Sequence, residues 1–223
     1  MDALHARFLR PGGLAFDVGA HVGDRTSSFR RLGARAVAVE PQAGPFRALR
    51  LLHGRDPDVA LVRAAVAARP GRIVLRVNSK NPTVSTASAA FVAAADGAAG
   101  WEGQDWDGEA SVEAVTLDAL VAAHGRPDFV KIDVEGFEAE ALKGLTTPVP
   151  ALSFEFTTIQ RSVAFEALER LTALGPYRFD YALGESQSLA MGRFVDGDAM
   201  RAALAALPDA ANSGDVYAAL APA

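Results

Sequence analysis

The residues best placed to do chemistry are glycines and carboxylates gathered where apolar runs end. Asp17-Val18-Gly19-Ala20-His21-Val22-Gly23 closes the first such run with two glycines in a short turn. A turn free of Cβ atoms lets a ligand approach the backbone, and the helix start that follows offers unpaired N–H groups. Dinucleotide sites use Gly-x-Gly-x-x-Gly for close access of a pyrophosphate. Here Ala20 sits inside the turn and the second glycine is displaced. The variant suits an adenosine ligand without a pyrophosphate, such as S-adenosylmethionine, with its amino-acid end on the loop amides and Asp17 facing its ammonium group. Glu40, 21 residues after Gly19 and just before Pro41, stands where an acid reaches both ribose hydroxyls. The expected cofactor-binding set is therefore Asp17, Gly19, Ala20, His21, Gly23, Glu40 and Pro41.

A second group follows a later run, Lys131-Ile132-Asp133-Val134-Glu135-Gly136. Ligands of open α/β sheets sit beyond the carboxyl ends of the strands. Asp133 is then expected beside the methyl end of the cofactor, with Glu155 from the next strand. A carboxylate there can take the proton of an acceptor hydroxyl, or hold a divalent metal that acidifies it. Asp133, Glu135 and Glu155 form the expected catalytic set, although Glu135 and Glu138 also suit a helix N-terminus. A divalent ion stays open, with Asp133 and Glu155 as half a site, and no zinc-type spacing of His, Asp and Glu occurs. Ser27-Ser28 is no nucleophile elbow, since Gly-x-Ser-x-Gly is absent. His5 is expected in a tail, and His53 and His124 at the surface.

These positions require a particular scaffold. Short apolar runs alternate with helical segments, the pattern of a mainly parallel sheet covered on both faces. Strands are expected at Leu14 to Val18, Ala36 to Val39, Val59 to Val66, Ser111 to Val115, Phe129 to Asp133 and Ala151 to Phe156. The last strands fall at Tyr177 to Leu183, Ser188 to Val195 and Asp215 to Leu220, with fraying beyond. Helices fit Asp24 to Leu32 (capped by Asp24 and stopped by Gly33), Phe46 to Leu52, Gly136 to Gly144, Ser162 to Gly175 and Asp198 to Leu207. Asp118 is expected to cap a further short helix. Arg72 to Val77 lacks a crossover helix before it and reads as a hairpin partner turned by Pro70-Gly71. The stretch 78–108 is weakly periodic and reads as a lid or acceptor-binding insertion, in part helical over Ser88 to Ala95. Within it Asn78, Thr83 and Ser85 can orient an acceptor, and Trp101 or Trp106 can stack on a sugar.

Composition narrows the partners. The 223 residues, half of them apolar, suffice for one domain spanning 1–223. A net charge of −5 without a basic run argues against nucleic acid. The absence of cysteine removes disulfides, thiolate metal sites and thiol nucleophiles. No apolar stretch is long enough for a membrane span, and Met1 to Arg10 lacks the apolar core of a secretory leader, so a soluble cytoplasmic protein is expected. Its partner would be a small-molecule acceptor; its oligomeric state is not encoded in any visible pattern.

Taken in order, Asp-Val-Gly-Ala-His-Val-Gly, Val-Glu-Pro, Thr-Leu-Asp-Ala-Leu, Lys-Ile-Asp-Val-Glu-Gly-Phe-Glu with Leu-Lys-Gly, and Phe-Glu-Phe resemble the FkbM family of methyltransferases. The matching stretch runs from about Gly13 to Phe156. The resemblance implies a class I methyltransferase Rossmann-like fold, a mainly parallel seven-stranded sheet with an antiparallel last strand. It also implies S-adenosylmethionine as donor and O-methylation of a sugar or secondary metabolite. His21 departs from it, since members often carry Asn there. Two other readings use the same sheet: a nicotinamide-dependent oxidoreductase, which the missing Gly-x-Gly-x-x-Gly disfavours, and a cofactor-binding module without catalysis.

Overall fold

In the computed structural model, which describes residues 1–221, a seven-stranded sheet carries the molecule. Its strands are β1 (Leu14–Val18), β2 (Arg35–Val39), β3 (Val59–Val62), β7 (Phe129–Ile132), β8 (Ala151–Thr157), β9 (Tyr177–Leu183) and β10 (Ser213–Leu220). The order is β3-β2-β1-β7-β8-β10-β9. The first five of these strands run parallel to one another, whereas β10 is antiparallel to both β8 and β9. Every residue of β1 and β7 is buried, so these strands do not alternate apolar with polar residues, and their one charged residue each, Asp17 and Lys131, is buried as well. The chain moves from β1 outward to β3, then returns to place β7 on the other side of β1. The order therefore reverses between β1 and β7, and their carboxyl ends open a crevice.

Three shorter strands form a second sheet in the order β4-β6-β5: β4 (Ala65–Val66), β5 (Gly71–Val77) and β6 (Gly108–Val115). The helices are α1 (Asp2–His5), α2 (Asp24–Arg31), α3 (Ala43–His53), α4 (Ala89–Ala95), α5 (Leu117–His124), α6 (Glu138–Lys143), α7 (Arg161–Leu174) and α8 (Gly197–Ala205). One sheet face, with Phe16, Val18, Val130, Ile132, Leu152 and Phe154, packs into the main core. The other holds Phe129 and Tyr217 with Phe8 and Phe29 from the N-terminal segment and α2.

Several expectations change. The run Val59 to Val66 is two strands in different sheets, because Ala65 and Val66 leave β3 to pair with β6. Arg72 to Val77 is no hairpin partner of the strand before Pro70-Gly71: β4 and β5 flank β6 on opposite sides. Ser188 to Val195 is not a strand. Gln187 and Gly192 take positive φ, and the segment touches β9 only through bonds such as Ala190 N–H to Tyr181 and the Phe179–Val195 bridge. Thr116, not Asp118, caps α5, while Asp118 accepts from the Thr146 amide and hydroxyl. Asp24 lies inside α2 and Gly23 is its N-cap.

His5 is buried, hydrogen-bonded to Ser28 and packed on Phe29. His53 is buried beside Ser27. Of the residues past Leu220, where fraying was expected, Ala221 donates its N–H to the Pro176 carbonyl, and Pro222 and Ala223 lie outside the described residues. Among the described residues no helix is long and apolar enough to cross a membrane.

The stretch 78–108 is ordered. The Ser88 side chain caps α4 by accepting from the Phe91 amide. Phe91 is enclosed edge-on by Trp101 and Trp106, whose indole N–H groups donate to Asn212 and to the Val84 carbonyl. Both tryptophans thus build the small core of the segment, Trp101 buried and Trp106 half-buried. Asn78 is buried, its amide on Ser85 and its side chain on Gln104.

Candidate active site at the carboxyl ends of β1 and β7

The glycine turn is shaped by contact. Gly19 adopts φ +81°, and a Cβ there would lie 1.8 Å from the Asp133 carbonyl oxygen. Only glycine lets the end of β1 approach the end of β7 this closely. Gly23, at φ +96°, packs against Leu49 and His53 of α3. His21 also has positive φ, at 48°. That conformation is one Asn and His tolerate better than most residues, which accounts for either occupying the position. Gly19→Ala should destabilise the fold by about 3 kcal/mol through overpacking and a left-handed φ. Urea unfolding measures this against Gly44→Ala, which meets nothing within 4 Å.

Four amides of the turn have partners within the protein. Gly19 and Ala20 N–H donate to the Val39 carbonyl, Gly23 N–H to that of Ala20, and His21 N–H to Glu40 Oε2 at 3.0 Å. Asp17, expected to face a ligand, lies buried beneath the turn. Its Oδ2 accepts from the Thr26 amide and hydroxyl at 2.8 and 2.5 Å, capping α2 from a distance. Burial raises its pKa, against the opposing effects of Thr26 and Lys131.

Above the turn opens a cleft of about 710 Å³ including its mouth. Gly19, His21, Glu40, Pro41, Asp133 and Glu135 line its polar side; Val39, Ala64, Val66, Leu75 and Ala87 line its apolar side. Asp17, Ala20, Gly23 and Glu155 are not on this wall. Glu40 is buried, with Oε1 accepting from the Gln42 amide at 2.7 Å and Oε2 from His21. Burial pushes its pKa up to about 7 despite these bonds. Each oxygen keeps a lone pair for a further donor. Two bonds tie the 78–108 segment over the cleft: Gln42 Nε2 to the Pro82 carbonyl, and Thr86 Oγ1 to that of Glu135.

At the strand ends the acids fall into a row. Ile132 pairs with Phe154, which sets Asp133 level with Glu155, and Glu155 pairs with Asp215. Two positions lower, Lys131 lies between Asp17 and Ser153. The Lys131 side chain is 2% exposed, and its ammonium reaches Asp215 Oδ1 at 2.5 Å and Asp133 Oδ2 at 3.1 Å. Burial by itself would lower its pKa, but Asp133, Asp215 and Glu155 outweigh that and raise it. Asp133 is held below the usual carboxylate range: burial pushes upward and the Lys131 ammonium prevails. Glu135 and Glu155 are pushed well up, first by burial and then by neighbouring carboxylates. One Glu155 oxygen is buried without a partner. Glu138 accepts from the Val134 and Gly136 amides, closing the loop that carries Glu135 at φ 54°.

The structure thus brings together Asp133, Glu135 and Glu155, whose oxygens lie within 4.8 Å of one another, close enough for a divalent ion to bridge them. Of the three, Asp133 is the one whose carboxyl is held below the usual range. Sequence reasoning missed Asp215, Arg25 and the role of Lys131. A lysine inside Phe-Val-Lys-Ile was the available signal, because a buried ammonium demands a carboxylate. Arg25, paired with Glu185 at 2.7 Å, adds a second positive charge near Asp133 and Asp215.

The sequence matches the family described as "Methyltransferase FkbM domain" over residues 17–181. No curated protein matches it. Among solved structures, a precorrin-6Y C5,15-methyltransferase from Geobacter metallireducens is similar at 14% identity and TM-score 0.51, covering 98% of this chain and 85% of that one. A TehB-like S-adenosylmethionine-dependent methyltransferase from Corynebacterium glutamicum is similar at 11% identity and TM-score 0.47, covering 99% and 86%. The strand order and the antiparallel β10 are those of a class I methyltransferase fold.

Proposed function

The chain belongs to the FkbM methyltransferase family and is an S-adenosylmethionine-dependent methyltransferase, and on that premise we propose that it methylates a hydroxyl oxygen of a small acceptor, a sugar or secondary metabolite. The observation that carries this reading is Asp133, a carboxylate kept charged at the order reversal of the sheet and open to the cleft. S-adenosylmethionine supplies a methyl group on a sulfonium. In the reading, Glu40 accepts the ribose hydroxyls, the apolar wall of Val39, Ala64 and Leu75 takes the adenine, and the Gly19 turn leaves room for the amino-acid end. The turn amides whose partners are known act by shaping this loop, and Asp17 acts through α2.

The acceptor hydroxyl would lie against Asp133. Its oxygen attacks the methyl carbon, a C–O bond forms as the S–C bond breaks, and the electron pair of that bond stays on sulfur. The hydroxyl proton passes to Asp133, and the products are a methyl ether and S-adenosylhomocysteine. Alignment supplies much of the rate, since attack must be in line. The positive charge beside Asp133 is assigned to Lys131 rather than to a metal.

The test is S-adenosylhomocysteine release over a panel of hydroxylated sugars and secondary metabolites, with amine and carbon nucleophiles alongside. Release with hydroxylated acceptors, unchanged by chelation, is expected. Turnover confined to amine or carbon acceptors would overturn the O-methyl assignment. Cofactor binding without turnover on any acceptor would indicate a binding module.

A further inference from the structure

Lys131 has an unusual setting for a central strand. Its ammonium is buried and contacts two acids from different strands, Asp133 one pleat along β7 and Asp215 on β10, two strands away. The Asp133 side chain is 31% exposed, whereas that of Asp215 is 11% exposed. One end of the bridge is therefore anchored in the sheet and the other reaches the cleft. Asp133 itself follows the last residue of β7, where only its amide on the Val18 carbonyl continues the ladder. Of the groups beside it, Glu135 and Glu155 have their pKa values pushed well up, so Lys131 is the charged contact that fixes its carboxylate.

We propose that Lys131 is a positioning residue for methyl transfer: anchored by Asp215, its ammonium holds the Asp133 carboxylate in the direction of the acceptor. Lys131 touches neither cofactor nor acceptor and acts through Asp133. The proposal rests on the reading of Asp133 as the proton acceptor. Asp215 completes the device by fixing the far side of the ammonium, so its loss should loosen Asp133 without uncovering it.

Lys131→Met keeps the length and apolar stem but removes the charge. The expected result is a kcat lower by about 10²-fold, the scale of a misplaced or lost general base, with acceptor KM and cofactor dissociation constant nearly unchanged. A role in stability alone would instead move the melting temperature and leave the kcat of the folded fraction intact, and that outcome overturns the proposal. Crystal structures of the variant give a readout independent of turnover. A displaced Asp133 carboxylate supports the proposal, and one that keeps its position overturns it, whatever acceptor the enzyme uses.

Should Lys131→Met fail to fold, Asp215→Asn carries the same two measurements, because it leaves the ammonium in place. A kcat loss with Asp133 displaced is expected; unchanged kcat and position overturn the proposal. Since the chain has no cysteine, Lys131→Cys can also be alkylated at a single site with 2-bromoethylamine in denaturant and refolded beside the wild type. Recovery of most of kcat over the unalkylated variant supports the ammonium's role. A refolded, cofactor-binding product that recovers nothing overturns it. Silence of the wild type on every acceptor would instead sink the O-methyl reading, while the Asp133 position still judges the clamp.

Discussion

Asp133→Asn should lower kcat by about 10²–10⁴-fold, the range general-base catalysis contributes, while the dissociation constant for S-adenosylmethionine changes little. The substitution preserves shape. The backbone contacts that build the turn, Asp133 N–H on Val18 and its carbonyl over Gly19, are untouched by it. What disappears is the charge that Lys131 holds ionised. An amide cannot take a proton from a hydroxyl at neutral pH, so the loss falls on the chemical step rather than on binding. Single-turnover methyl transfer gives kcat, and titration calorimetry gives the affinity. Loss of both together would mean that Asp133 supports the loop instead of the reaction. Asp133→Ala should resemble Asp133→Asn in kcat, but with a larger drop in melting temperature. It leaves Lys131 short of a partner, and breaking a buried pair costs about 3–5 kcal/mol before relaxation and solvent reduce it.

The placement of this acid was legible from sequence because two local signals agree: an apolar run that ends at Asp133, and a glycine turn at the end of the first strand. Both depend on short-range periodicity. The clamp that holds Asp133 was not legible, since Lys131 and Asp215 are 84 residues apart and meet only through the register of β8 and β10. The Thr26 contact of Asp17 was not legible for a similar reason. The spacing of Asp17 before Gly19 suggested a ligand contact, and its partner within the protein is Thr26, so it caps a helix. The segment 78–108 concealed its order in a background of Ala, Gly and Ser, where Phe91, Trp101 and Trp106 supply just enough apolar surface for a small core. A two-residue strand such as β4 carries no periodicity, and the second sheet could not be seen without its partner β6.

Glu40 carries the other large effect. Glu40→Ala should weaken S-adenosylmethionine binding by at least about 10²-fold, since each hydrogen bond to a charged acceptor contributes about 1.5–3 kcal/mol. It also leaves the His21 and Gln42 amides without their acceptor, so the turn itself loosens. Glu40→Gln should not restore binding fully: an amide presents one acceptor and one donor, and one of those two N–H groups would then face an N–H. The pH dependence separates ribose binding from loop support. With a pKa near 7, Glu40 is neutral in much of the unliganded protein below neutrality, and two ribose donors favour its ionised form. Affinity should therefore fall about tenfold per pH unit below 7 and level off above it. Stability of the unliganded protein should run the other way. A carboxyl raised on folding contributes stability that is present below the unfolded value, near 4.5, and lost as pH rises through 7. Calorimetric titrations from pH 5.5 to 8.5, paired with urea unfolding without ligand, test both limbs. The buried Glu138 also titrates near 7, so Glu138→Gln is the control that should keep the wild-type slope in cofactor affinity. An affinity that is flat with pH in the wild type would remove Glu40 from the ribose and leave it as a support of the glycine turn.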